Sequence, residues 1–75
     1  MKYFTFLDYY RMKPQFLPEG VEVIRGATPA GGAYAVVLYM DDNGQKVSKE
    51  KATRIDVVEC SAAGKEIFRT NMTKK

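Results

Sequence analysis

Runs of apolar residues, separated by polar turns, divide this chain into segments of strand length. Residues 33–40 are continuously apolar (AYAVVLYM) and run into the turn 41–44 (DDNG), after which Gln45-Lys46-Val47 leads back. Asn and Gly accept the positive φ of a tight turn, so this pattern predicts a β-hairpin. Because residues 33–40 are apolar at every position, we expect a strand that is covered on both faces.

Three further segments have the composition of strands. They are residues 21–25 (VEVIR), residues 53–60 (TRIDVVEC) and residues 66–72 (EIFRTNM). A second hairpin turn is expected at residues 61–65, between the last two of them. Within residues 53–60 the apolar positions change face between Val57 and Val58, which predicts a β-bulge there.

Residues 3–12 fit two different elements. Their apolar positions fall at i, i+3, i+4 and i+7, which matches one stripe of a helix. Their aromatic content favours a strand instead, and the strand is our preferred interpretation. Pro14 and Pro18 would then end the element and impose an extended link.

These segments predict a mainly β fold. We expect about five short antiparallel strands in a strongly bent sheet or a small open barrel, SH3-like or OB-like in kind. The alternative is a small α+β fold in which residues 3–12 are helical. A chain of 75 residues without repeats or a linker is expected to form a single small domain over residues 1–75.

The composition argues against catalysis. The chain has no histidine, so Ser–His, Cys–His and His–zinc chemistry is excluded, and we expect no enzyme, no metal and no cofactor. The single cysteine, Cys60, cannot form an intrachain disulfide, which favours a reducing compartment. No segment has the apolar length of a signal peptide or a spanning helix, so the sequence predicts a cytoplasmic protein with no membrane contact.

The aromatic residues predict a protein interface. Nine of the 75 residues are Tyr or Phe, more than a core of this size readily encloses. The candidate interface residues are Tyr9, Tyr10, Arg11, Phe16 and Tyr39. The glycine-rich loop 26–32 lacks the lysine of a phosphate-binding loop and is expected to be flexible and to adapt to the partner.

The leading hypothesis is therefore a non-enzymatic binding module whose partner is another protein. A homodimer formed through an edge strand is one form of that contact. Small β-rich chains of this composition are common among accessory and inhibitor proteins of phages and mobile elements, which is an analogy of size and composition.

The alternative hypothesis is nucleic-acid binding. The net charge is +3, and residues 45–75 carry eight lysines and arginines. A basic cluster with Tyr34 or Tyr39 exposed beside it would combine a cationic surface with stacking rings. The candidate residues are Lys46, Lys49, Lys51, Arg54 and Arg69. The competing interpretation is a solvated edge strand, since lysines on an edge oppose aggregation.

Overall fold

The computed structural model describes residues 6–73, in which a four-stranded sheet carries a short helix on one face. The elements in chain order are helix α1 (Phe6–Arg11), a 3₁₀ turn (Pro14–Phe16) and strands β1 (Val21–Arg25), β2 (Tyr34–Met40), β3 (Arg54–Cys60) and β4 (Glu66–Thr73). Within these residues no helix is long and apolar enough to cross a membrane.

The sheet is an open antiparallel meander. Its strand order is β1-β2-β3-β4, and β1 and β4 do not pair with each other, so the sheet does not close. The mainly β prediction is confirmed, with four strands rather than five. The segment expected as the return strand after residues 41–44 contributes a single bridge, between Met40 and Lys46.

Strand register assigns each side chain to one of two faces. The covered face carries the main core of buried residues, to which α1 and the segment before β1 add Phe6, Tyr9, Tyr10 and Leu17. The buried residues of that core are Val21, Tyr34, Val36, Leu38, Val58 and Cys60. The second face carries Val37 and Tyr39, which pack against Ala52 from the β2–β3 connection.

Residues 6–11 are helical, so the preference for a strand over residues 3–12 is wrong for this part of it. Phe6, Tyr9 and Tyr10 lie at i, i+3 and i+4 and pack together against the covered face. A helical stripe thus decided the element, although it includes Tyr9 beside Phe6 and Tyr10, whereas the predicted stripe had Leu7 beside them. Residues 3–5 lie outside the described part of the chain.

Both predicted turns are present. Asp41 N donates to Gln45 O at 2.9 Å in the first, and Ser61 N donates to Lys65 O at 2.8 Å in the second. The bulge predicted between Val57 and Val58 is misplaced. The register shift lies between Glu59 and Cys60, where β4 has an additional residue. Val57 and Val58 are adjacent and apolar because both faces of β3 are partly buried, not because the strand is irregular.

Gly20, just before β1, lies close to the backbone of the β2–β3 connection. Its φ is +84°, and a Cβ built there would lie 2.6 Å from Val47 O. Gly44 has a similar φ of +78°, with nothing within 4 Å of its Cβ position. A substitution at Gly44 therefore introduces backbone strain alone, whereas one at Gly20 introduces strain and a steric clash.

We expect Gly44→Ala to lower the free energy of unfolding by about 1 kcal/mol, from backbone strain alone. Gly20→Ala adds a backbone clash and should lower it by about 3 kcal/mol. Urea denaturation of both variants measures the difference. Equal losses would contradict the close approach of Gly20 to Val47.

Candidate functional site

Strand β4 is exposed along its whole length. All eight of its residues, Glu66–Thr73, are exposed to solvent, whereas β2 is buried from Tyr34 to Tyr39. Three of the exposed β4 side chains are large and apolar: Ile67 is 42% exposed, Phe68 51% and Met72 48%. We call these three residues together with Thr70 the β4 surface.

The outer edge of β4 has backbone groups without strand partners among residues 6–73. Cys60 O accepts from Ala33 N at 2.8 Å and so points away from β4. Successive backbone groups of a strand alternate in direction, so Val57 and Ile55 bond toward β4. Their register partners Thr70 and Met72 therefore point inward.

By the same alternation, Arg69, Asn71 and Thr73 present their N–H and C=O groups outward. Such a row of unpaired groups is a template for another strand.

The opposite edge, β1, is shorter and flanked. It has five residues, and the segment before it is tied to it by Arg25 Nη2, which donates to Met12 O at 3.0 Å. A cavity of about 320 Å³ lies between this segment and the strand. Its lining residues are Pro14, Leu17, Val21, Glu22, Val23 and Arg25. The β1 edge beside this cavity is five residues long, against eight in β4.

Of the five candidate interface residues, two are exposed. Phe16 is 67% exposed and Arg11 is also exposed. Tyr9 and Tyr10 are half-buried in the contact between α1 and the sheet. Tyr39 is buried on the second face, where its hydroxyl donates to Glu22 Oε1. The structure therefore does not bring these five residues together on one surface.

The Tyr10 ring makes two contacts with the sheet. It stacks on Tyr34 with ring centroids 4.3 Å apart, and the Arg25 guanidinium carbon lies 4.7 Å from its centroid. Stacked rings and a cation over an aromatic face both stabilise such a contact. Tyr10 thus holds α1 against the sheet, and this structural role explains the tyrosine without a binding partner.

The basic candidates are divided between the two faces. Arg54 and Arg69 lie on the covered face, where both contact the fully buried Asp56, at 3.0 Å from Arg54 Nε and 3.7 Å from Arg69 Nη1. Arg69 also contacts Glu66 at 3.1 Å. The hydrogen bond to Asp56 raises the pKa of Arg54 above its ordinary value. These two charges are already paired within the chain.

The three lysines of the cluster, Lys46, Lys49 and Lys51, are exposed in the β2–β3 connection, which packs by Ala52 and Val47 on the second face. The tyrosines expected to stack bases are not available. Tyr34 is fully buried and Tyr39 is 7% exposed. The structure therefore does not join the cationic side chains to an exposed ring of either tyrosine.

The loop 26–32 is hydrogen-bonded rather than free. Ala30 N donates to Glu59 Oε1 at 2.9 Å, and Gly32 N donates to Thr28 Oγ1 at 2.7 Å. A Cβ at Gly32 would lie 2.7 Å from Cys60 O, so the loop also packs closely on β3. These contacts tie the loop to β3 in this conformation.

The exposed apolar residues of β4 that the sequence did not single out as candidates are Ile67, Phe68 and Met72. A usable signal existed, because residues 66–72 form the last strand of a chain of hairpins. The last strand of a meander lies at an edge unless the sheet closes. Its apolar positions therefore have a neighbouring strand, β3, on one side only.

No family model matches this chain, and neither a curated protein nor a solved structure matches it. Within residues 6–73 there is no group of three or more His, Cys, Asp or Glu side chains that could hold a metal ion.

Asp56 offers a test of the charged group on the covered face. We expect Asp56→Ala to lower the free energy of unfolding by about 2 kcal/mol or more, since it removes the carboxylate that both arginines contact. Glu50→Ala, at an exposed turn position, should stay within about 0.5 kcal/mol of the wild type. Urea denaturation compares them, and an equal effect would contradict a structural role for Asp56.

The buried tyrosines predict a loss of stability at high pH. The pKa of Tyr34 is raised to about 12, mainly by burial and further by the neighbouring Cys60 thiol. The pKa of Tyr39 is raised to about 12, mainly by the hydrogen bond to Glu22 and further by burial. A raised pKa in the folded state gives stability that is complete below pH 10 and is lost as the pH rises toward 12.

We therefore expect the free energy of unfolding to fall between pH 10 and about 12. The double variant Tyr34→Phe, Tyr39→Phe should show a smaller fall over the same range. Its tyrosinate absorbance should also lack the component that titrates near pH 12 in the wild type. An unchanged titration in the double variant would contradict the assignment.

Proposed function

We propose that this protein is a non-enzymatic binding module that contacts another protein through strand β4. The observation that carries the proposal is the exposure of all eight β4 residues beside an outer edge that has no strand partner within residues 6–73. A partner strand would satisfy the outward backbone groups, and the β4 surface would supply apolar contact. We expect it to act in the cytoplasm, where its single cysteine stays reduced.

Two features favour β4 over the other surfaces. The β1 edge is shorter and tied to the segment before it, and Tyr10 and Tyr39 are engaged inside the fold. Phe16 is exposed but lies outside the sheet in the 3₁₀ turn. The comparison with phage and mobile-element accessory proteins is a further part of the proposal and rests on size and composition.

Site-specific cross-linking tests the interface. A photoreactive phenylalanine analogue in place of Phe68 should give discrete cross-linked proteins in a lysate of the source cells. The same analogue in place of Phe16, which is more exposed at 67% against 51%, should give several times less. Asn71→Pro should suppress the products from position 68, because it removes an N–H that points outward.

Equal yields from positions 68 and 16 would mean that exposure alone determines cross-linking, and would overturn the proposal. Fluorescence anisotropy with labelled single- and double-stranded oligonucleotides tests the alternative, and we expect no micromolar binding at low salt. Binding that weakens with salt and with Lys49→Glu or Lys51→Glu would instead support a nucleic-acid site.

A further inference from the structure

We infer that β4 pairs antiparallel with β4 of a second copy of this chain, in the register that places the two Thr70 residues opposite each other. The inference rests on the proposed β4 interface and names its partner. A two-fold axis at this edge would join the two four-stranded sheets into one of eight strands. Such an axis makes each contact twice, since the same surface serves both copies.

The register is limited by the faces of the sheet. Residues that lie directly opposite in an antiparallel pair project from the same face, so the two-fold axis must pass through a residue paired with its own copy. Near the middle of β4 three centres are available: Arg69, Thr70 and Asn71. They differ in which side chains meet.

The Thr70 centre brings complementary side chains together. It places Phe68 of one copy opposite Met72 of the other, and symmetry repeats this contact. Both side chains lie on the second face, at 51% and 48% exposure. On the covered face the same register places Arg69 of one copy opposite Asn71 of the other. The outward backbone groups of these two residues then form a hydrogen-bonded pair.

The other two centres are less favourable. An Arg69 centre places the two guanidinium groups directly opposite each other and pairs Phe68 with Thr70. Like charges directly opposite in a sheet are destabilising. An Asn71 centre pairs Met72 with Thr70 and shortens the overlap of the described strand to residues 69–73.

The charge on β4 permits a close approach of two copies. The described strand carries one acid and one base, Glu66 and Arg69, so it is neutral although the chain has a net charge of +3. Arg69 is held by Glu66 at 3.1 Å and by Asp56 at 3.7 Å of its own chain.

Residues 68–73 contain no proline and no lysine, and the register shift of β4 lies before them, at Ile67, so the centre of the edge lacks these protections.

The size of the contact sets its strength. A stable interface buries about 800 Å² on each partner, and the pairing of one strand edge with two apolar side-chain contacts covers less than that. We therefore expect a reversible dimer with a Kd on the order of 10 μM rather than an obligate one.

Sedimentation equilibrium from about 1 μM to about 1 mM should show a rise toward twice the 8.5 kDa mass of the chain. Asn71→Pro should weaken the dimer about tenfold or more, because each copy loses an outward N–H. Asn71→Ala keeps that N–H and is the matched control. A wild type that stays monomeric to about 1 mM overturns the inference.

Engineered cysteines determine the register. In the Thr70-centred register the two Thr70 residues form a non-hydrogen-bonded pair with Cα atoms about 4.5 Å apart, within the range of a disulfide. Thr70→Cys should therefore form a cross-linked dimer with oxidised glutathione faster than Arg69→Cys or Asn71→Cys. The native Cys60 is fully buried and does not compete.

Faster cross-linking at position 69 or 71 would overturn the Thr70 register, and equal rates at all three positions would indicate random collision and overturn the paired dimer. Photo-cross-linking from position 68 distinguishes a homodimer from a contact of β4 with a different protein. Products with other proteins but none with a second copy would overturn the homodimer and leave the proposed function standing. Failure of both experiments would overturn the β4 interface itself.

Discussion

Strand β2 is the element on which the rest of the structure depends. Its residues from Tyr34 to Tyr39 are buried, and it pairs along its length with β1 and β3. Alternate side chains then have to be covered on opposite sides of the sheet. Helix α1 provides this cover on one face, and the β2–β3 connection, with Ala52, provides it on the other.

The central position of β2 explains why β4 is exposed. α1 contacts β1 and β2, and the two connections that flank the second face are held near β2 and β3. Of these elements, the loop 26–32 comes near β4, where a Cβ at Gly32 would lie 3.1 Å from Ile67 Cδ1, and Ile67 is nevertheless 42% exposed. Burial is therefore concentrated in β2 and β3, whereas β4 is exposed along its length, and Ile24 of β1 is also exposed, at 57%.

Asp56 marks the transition between these two sides. It lies on the covered face with zero exposure, beyond the apolar core, and Arg54 and Arg69 extend over it. Paired charges therefore cover the part of this face where the core ends. The same pairing neutralises the one basic side chain of β4, which links the internal electrostatics of the sheet to the chemistry of its free edge.

The sequence by itself determined the mainly β class, the strands β1 to β4 to within a residue or two, and both hairpin turns. These features depend on local φ preferences and on alternation, which neighbouring residues fix. Local patterns did not determine whether residues 6–11 are helix or strand, because a short aromatic segment fits both until it packs on the buried core of the covered face, where Tyr10 stacks on Tyr34.

Only the tertiary structure decided which aromatic and basic side chains are available to a partner. Tyr39 and Tyr10 resemble interface residues in the sequence, yet both make contacts inside the fold. Tyr39 donates a hydrogen bond to Glu22, and Tyr10 contacts Tyr34 and Arg25. Phe68 resembles a core residue, yet it is half exposed. Whether a side chain is exposed depends on which elements cover its face of the sheet. The register of long-range strand pairs sets that arrangement, and the identity of the residue does not.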